Sequence, residues 1–152
     1  MHIKLDYVLT VTDLYYTTVV TITNNGINIP DFYYYRNFDP DNNQSISGDF
    51  TTQNTIVSQP GSGCNKAHVK ATSNLPGSQP VSYVGLAGVG SNFRAIYGGF
   101  SNRDGSDIWN GAFFTQVVGS TNYADEAIAI AYRIQNFAPA TTQQFRFVVI
   151  LD

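Results

Sequence analysis

Between Ala127 and Leu151 the chain alternates, residue by residue, between two kinds of side chain. This alternation constrains the fold more than any other feature of the sequence. Ile128, Ile130, Tyr132 and Ile134 fall on one side, and Ala127, Ala129, Ala131 and Arg133 on the other. Phe145, Phe147, Val149 and Leu151 alternate in the same way with Gln144, Arg146, Val148 and Ile150. A period of two belongs to a pleated strand, whose successive side chains point to opposite faces, whereas a helix needs a period near 3.6. Antiparallel strands with one dry face read this way, and two such faces packed together give a β-sandwich. A closed barrel is the competing architecture.

The rest of the chain repeats the pattern between turn signals. Segments 3–11, 14–23, 28–37, 50–58, 64–73, 81–87, 93–100, 112–118, 126–135 and 142–151 read as strands, about nine or ten in all. Asn24-Asn25-Gly26 supplies residues that tolerate the positive φ angles of a tight turn. Composition supports the reading. Ten Asp stand against one Glu, Glu126, and Thr and Asn occur fourteen times each. Thr favours strands, and Asn and Asp favour turns. The expected fold class is therefore all-β, an antiparallel β-sandwich of immunoglobulin-like or jelly-roll-like type. No helix is expected, and 152 residues suit a single domain.

Charge and apolar runs exclude whole classes of partner. Only 12% of residues are charged and the net charge is −3, which argues against a phosphate-tracking nucleic-acid binder. The longest apolar run, Ala127 to Tyr132, falls far short of the roughly 20 residues that span a bilayer, so no membrane insertion is expected. Cys64 is the single cysteine, which leaves no internal disulfide and no cysteine-rich zinc site. Strands coated with Thr, Ser and Asn point to the outside of a cell.

Two stretches resemble a known family. Residues 16–26, Tyr16-Thr-Thr-Val-Val-Thr-Ile-Thr-Asn-Asn-Gly26, resemble the opening strand and turn of immunoglobulin-like repeats in large bacterial surface proteins. Residues 136–150, from Asn136 through Pro139 to Ile150, resemble their closing strand, where a proline-containing turn precedes an alternating segment. The segments 35–43 and 100–111 are similar to parts of secreted, calcium-associated adhesin-type proteins. The resemblance implies a module of a larger extracellular array whose partners are other copies or neighbouring modules of the same surface protein.

Acids placed in loops are the main chemical lead. Asp39, Asp41 and Asn43 share one loop, Asp104 and Asp107 another, and Asp125 precedes a strand. Calcium takes six to eight oxygen ligands, and short Asp and Asn side chains in turns supply them. The alternative role of the same residues is turn chemistry, in which they bond nearby backbone amides. Asp125 and Glu126 are adjacent, so on a strand they point to opposite faces and cannot act as a catalytic pair. Cys64 and His68, four apart on a strand, do not form a nucleophile–base pair either. They read as a core cysteine and a surface histidine. No enzyme is expected.

Rings offer a second lead. Trp109 lies in a loop, and Tyr33 and Tyr35 share one face of their strand, opposite Phe32 and Tyr34. One ring pair belongs to the core and the other is free to stack on a sugar. The expected function is a non-enzymatic structural or adhesion module with calcium as a candidate cofactor. The alternatives are a glycan-binding module using Trp109, Tyr33 and Tyr35, and a filament subunit joined by strand exchange.

Overall fold

The computed structural model describes residues 1–42, 44–61, 63–73, 82–100, 104–111 and 114–151. Strands β1 (His2–Val8), β2 (Tyr15–Thr23) and β3 (Ile29–Phe38) lead into a one-turn helix, α1 (Gln44–Ser47). Then come β4 (Thr52–Ser58), β5 (Lys66–Ser73), β6 (Tyr83–Val89), β7 (Phe93–Gly98) and a second short helix, α2 (Gly105–Asn110). Strands β8 (Phe114–Thr115), β9 (Thr121–Ala124), β10 (Ala127–Phe137) and β11 (Thr142–Leu151) complete the order. The larger sheet runs β1-β2-β11-β6-β5-β4-β9 and the smaller β3-β10-β7-β8. Every named strand pair is antiparallel, and the fold is the all-β sandwich that the alternation predicts.

The core follows from the period of two. Val20 and Ile22 of β2, Phe145, Phe147 and Val149 of β11, and Val69 of β5 face Ile128, Ile130 and Ile134 of β10 across the interior. Burying a side chain of this size contributes about 1.5–3 kcal/mol. Tyr34 packs edge-on against Phe145 with ring centroids 5.3 Å apart, and Tyr132 stacks on Phe145 at 3.9 Å. Gly88 makes this packing possible, because a Cβ there would lie 2.7 Å from the Phe93 ring. Phe32 and Tyr34 are thus the core pair of the β3 rings, and Tyr33 and Tyr35 face outward.

Besides the one-turn α1, three features depart from the expectation. First, the smaller sheet is buried on both faces where α2 covers it. Ala129 and Ala131 are small enough to let α2 lie on the outer side, where Ile108 and Ile96 join them in a second cluster. The segment read as a plain loop therefore holds a helix. Asp104 caps it at the N-terminus and Gly111, at φ 74°, ends it. Second, Asn24-Asn25-Gly26 is a corner between the two sheets rather than a hairpin, and none of the three has positive φ. The buried Asn24 amide donates to the carbonyls of Ile27 and Phe137 and accepts from the Gly26 N–H. Its backbone bonds Thr141 and Ala140, so this corner and the β10–β11 corner hold each other. Third, β9 escaped the sequence reading. It is a four-residue strand at the edge of the larger sheet.

Buried backbone polar groups need partners, and β8 is too short to supply them all. It pairs only with Tyr97 and Gly98 of β7. The buried Gln59 side chain completes the edge. Its amide nitrogen donates to the Ala95 carbonyl, and its oxygen accepts from the Ala95 N–H at 3.0 Å.

Candidate functional site

The β3–β10 register brings distant acids together. Phe38 of β3 lies opposite Ile128 of β10, so the residues just beyond each strand end become neighbours. Asp39 follows β3, Asp41 lies two positions on, and Asp125 sits in the β9–β10 connection. Carboxylate oxygens of Asp39, Asp41 and Asp125 all lie within 4.8 Å of one another. Asn42 anchors this loop to the larger sheet, its amide donating to the Ala71 carbonyl at 3.2 Å. The cluster thus joins the end of one sheet to the connection that leaves the other. Beside it opens a groove of about 600 Å³ lined by Leu14, Phe38, Asp39, Asp41, Tyr83 and Leu151.

Electrostatics at the cluster are unfavourable without a positive guest. Asp39 is an exposed residue, yet partial desolvation of its carboxyl, the hydrogen bond with Asp41 and the negative charges of Asp41 and Asp125 all raise its pKa above the usual carboxylate range. Asp41 Oδ1 is buried and has no hydrogen-bond donor among the described residues. A proton shared between two of the carboxylates or a bound cation relieves both problems. A calcium ion bonds oxygen at 2.3–2.6 Å, so ligands on opposite sides of it are about 4.6–5.2 Å apart. The three carboxylates fit inside that sphere.

The other acids of the sequence reading lie elsewhere. Asp104 belongs to α2, where its carboxylate accepts from the Ser106 N–H at 2.8 Å and the Ser106 hydroxyl at 2.7 Å. These bonds hold the Asp104 carboxyl below the ordinary value. Asp107 occupies the first turn of the same helix. Among the described residues, neither joins the Asp39 cluster. Asn43 lies outside the described residues. Glu126 accepts from Asn122 at 3.1 Å while Asp125 enters the cluster, so the two adjacent acids do diverge.

Trp109, Tyr33 and Tyr35 do come together, on the outer side of the smaller sheet. The Tyr33 and Trp109 ring centroids are 6.3 Å apart, and Tyr35 packs beside Trp109 on the cluster under α2. Trp109 is half-buried, and the Arg94 guanidinium lies 4.6 Å above its ring. Arg133 approaches both Trp109 and Tyr33 at 5.9 Å while paired with Asp31 at 2.6 Å. Cations therefore already occupy ring surface that a sugar would use.

The Cys64 and His68 environments are the reverse of the sequence expectation. Cys64 is exposed. His68 is half-buried and bonded to the Tyr83 hydroxyl at 3.0 Å. Burial, reinforced by the charges of Lys66 and Lys70, lowers its pKa to about 4. Sequence reasoning also missed a cleft of about 790 Å³ at one end of the sandwich, lined by Phe93, Tyr132, Phe145, Lys66 and Arg146 among others. Its aromatic residues alternate as core residues do, so no local signal marks an opening there. Compared with known proteins, no family model matches the chain, and no curated protein matches it significantly.

Proposed function

We propose that the chain is a non-catalytic structural module of an extracellular surface protein, stiffened by one calcium ion held by Asp39, Asp41 and Asp125. The carrying observation is the convergence of three carboxylates within 4.8 Å, one with a buried oxygen that has no donor among the described residues. Backbone carbonyls and water fill the remaining positions of the ion. With only three charged ligands the expected affinity is weak, in the range of about 0.1–1 mM typical of extracellular modules. Such a site fills where calcium is millimolar, outside the cell, and stays empty at cytosolic concentrations. The likeness of segments 16–26 and 136–150 to bacterial surface repeats agrees with that setting.

The ion serves rigidity rather than reaction. It ties the β3–α1 connection to the β9–β10 connection, which is where the chain passes between the sheets. Calorimetric melting tests the reading. Raising calcium from chelator to 10 mM should lift Tm by about 3–10 °C, the linkage expected for such a Kd. An unchanged Tm overturns it.

A further inference from the structure

We propose that β1 is a docking edge for a second copy of this chain, the two β1 strands pairing antiparallel about a two-fold axis at Leu5. The proposal does not depend on calcium. It rests on an apolar row that the smaller sheet leaves uncovered and on a charge pattern complementary to itself.

The row comes first. Ile3, Leu5 and Tyr7 lie opposite Ile22, Val20 and Thr18 of β2, all of which are buried. The three β1 residues therefore continue the core face of the larger sheet. Yet Ile3 is 46% exposed, Leu5 37% and Tyr7 58%. The larger sheet has seven strands and the smaller four, and β1 extends beyond the cover. Met1 and Leu9, flanking the strand, continue the alternation and are also exposed. A core face left this exposed marks an interface.

The edge is open for pairing. β1 bonds β2 along all seven residues and, among the described residues, has no neighbour on its other side. Natural edges are blunted by shortness, proline or charged side chains. The other edges follow that rule: β8 has two residues, β9 four, and β3 carries Pro30. β1 has seven residues and no proline.

The occupant follows from the charges. An antiparallel pair centred on Leu5 sets Leu5 against its own copy, Ile3 against Tyr7 and Lys4 against Asp6 of the second molecule. The two residues of opposite charge on the outward face of β1 thus meet across the axis in both directions. Within one molecule they already pair at 2.9 Å, with both side chains largely exposed. The same axis keeps both core faces on one side, so the two apolar rows merge beneath a continuous sheet. A closed two-fold contact of this kind is isologous and makes a dimer, not a filament. With seven residues a side the interface is small, so a reversible dimer with a Kd of about 10–100 μM is expected.

Sedimentation velocity over about 1–500 μM, in chelator and in calcium, tests it. Wild type should pass from monomer to dimer in both buffers. Lys4→Asp and Asp6→Lys should each remain monomeric alone, because each places like charges across the axis. Mixed in equal amounts they should form a heterodimer, and the double swap Lys4→Asp/Asp6→Lys should restore the homodimer. Lys4 is exposed and Asp6 partly so, and circular dichroism checks that each variant is folded. A wild-type monomer throughout, single variants that dimerise as wild type does, or open-ended assemblies from strand exchange would each overturn the proposal. Loss of calcium binding with the dimer intact would overturn only the metal reading.

Discussion

At the scale of single residues, two titratable groups carry charge states set by their surroundings. The Asp39 carboxyl is raised by partial desolvation, by its hydrogen bond with Asp41 and by two neighbouring acids. A group whose folded pKa lies above its unfolded value contributes stability below the unfolded pKa and loses it as pH rises through the folded pKa. Without a cation, therefore, ionised Asp39 opposes folding at neutral pH. Asp39→Asn should leave Tm unchanged or raise it by about 1–3 °C in chelator, and should remove most of the calcium-dependent rise. His68 has the opposite sign. Its folded value of about 4 lies below the ordinary histidine value of 6.5, so its contribution is present above pH 6.5 and is lost as pH falls toward 4. Solvent around the half-exposed ring reduces the full effect to about 1–2 kcal/mol. Denaturant titrations at pH 7 and pH 4.5 should show His68→Gln losing less stability than wild type over that interval. Equal losses would remove His68 from the account.

At the scale of elements, stability depends on side chains that replace missing backbone partners. Gln59 stands in for a strand beside Ala95, bonding both its N–H and its carbonyl. Gln59→Ala leaves two buried backbone groups unsatisfied and should cost about 2–4 kcal/mol in urea denaturation. A loss below about 0.5 kcal/mol would mean that water takes over the role. The strands themselves were legible in the sequence because alternation is local: β10 and β11 declare their core faces residue by residue. The corner at Asn24 was not, because its turn residues fit a hairpin equally well. Only the partners of the Asn24 amide, Phe137 and Ile27, show that the chain changes sheets. α2 was hidden for a different reason. Six residues are too few to show a helical period, and its seat depends on Ala129 and Ala131, which read as the outer face of an exposed sheet.

At the scale of the whole molecule, the two sheets are unequal, and both functional leads follow from that. Where the sheets overlap, register places Phe38 beside Ile128 and so gathers Asp39, Asp41 and Asp125. Where the larger sheet runs past the smaller, β1 leaves a core face bare. The sequence showed acids concentrated in loops but not which loops meet, since that depends on long-range register. Asp104 and Asp107 have the same local character as Asp39 and Asp41, yet they serve the end of α2. Calcium held between the sheet connections is the central claim. Isothermal titration of calcium into the metal-free protein at pH 7 tests it most directly. One site per chain, with a Kd of about 0.1–1 mM and absent in Asp41→Asn, is the expected result. No saturable binding up to 10 mM, or binding that survives Asp41→Asn unchanged, would contradict the account.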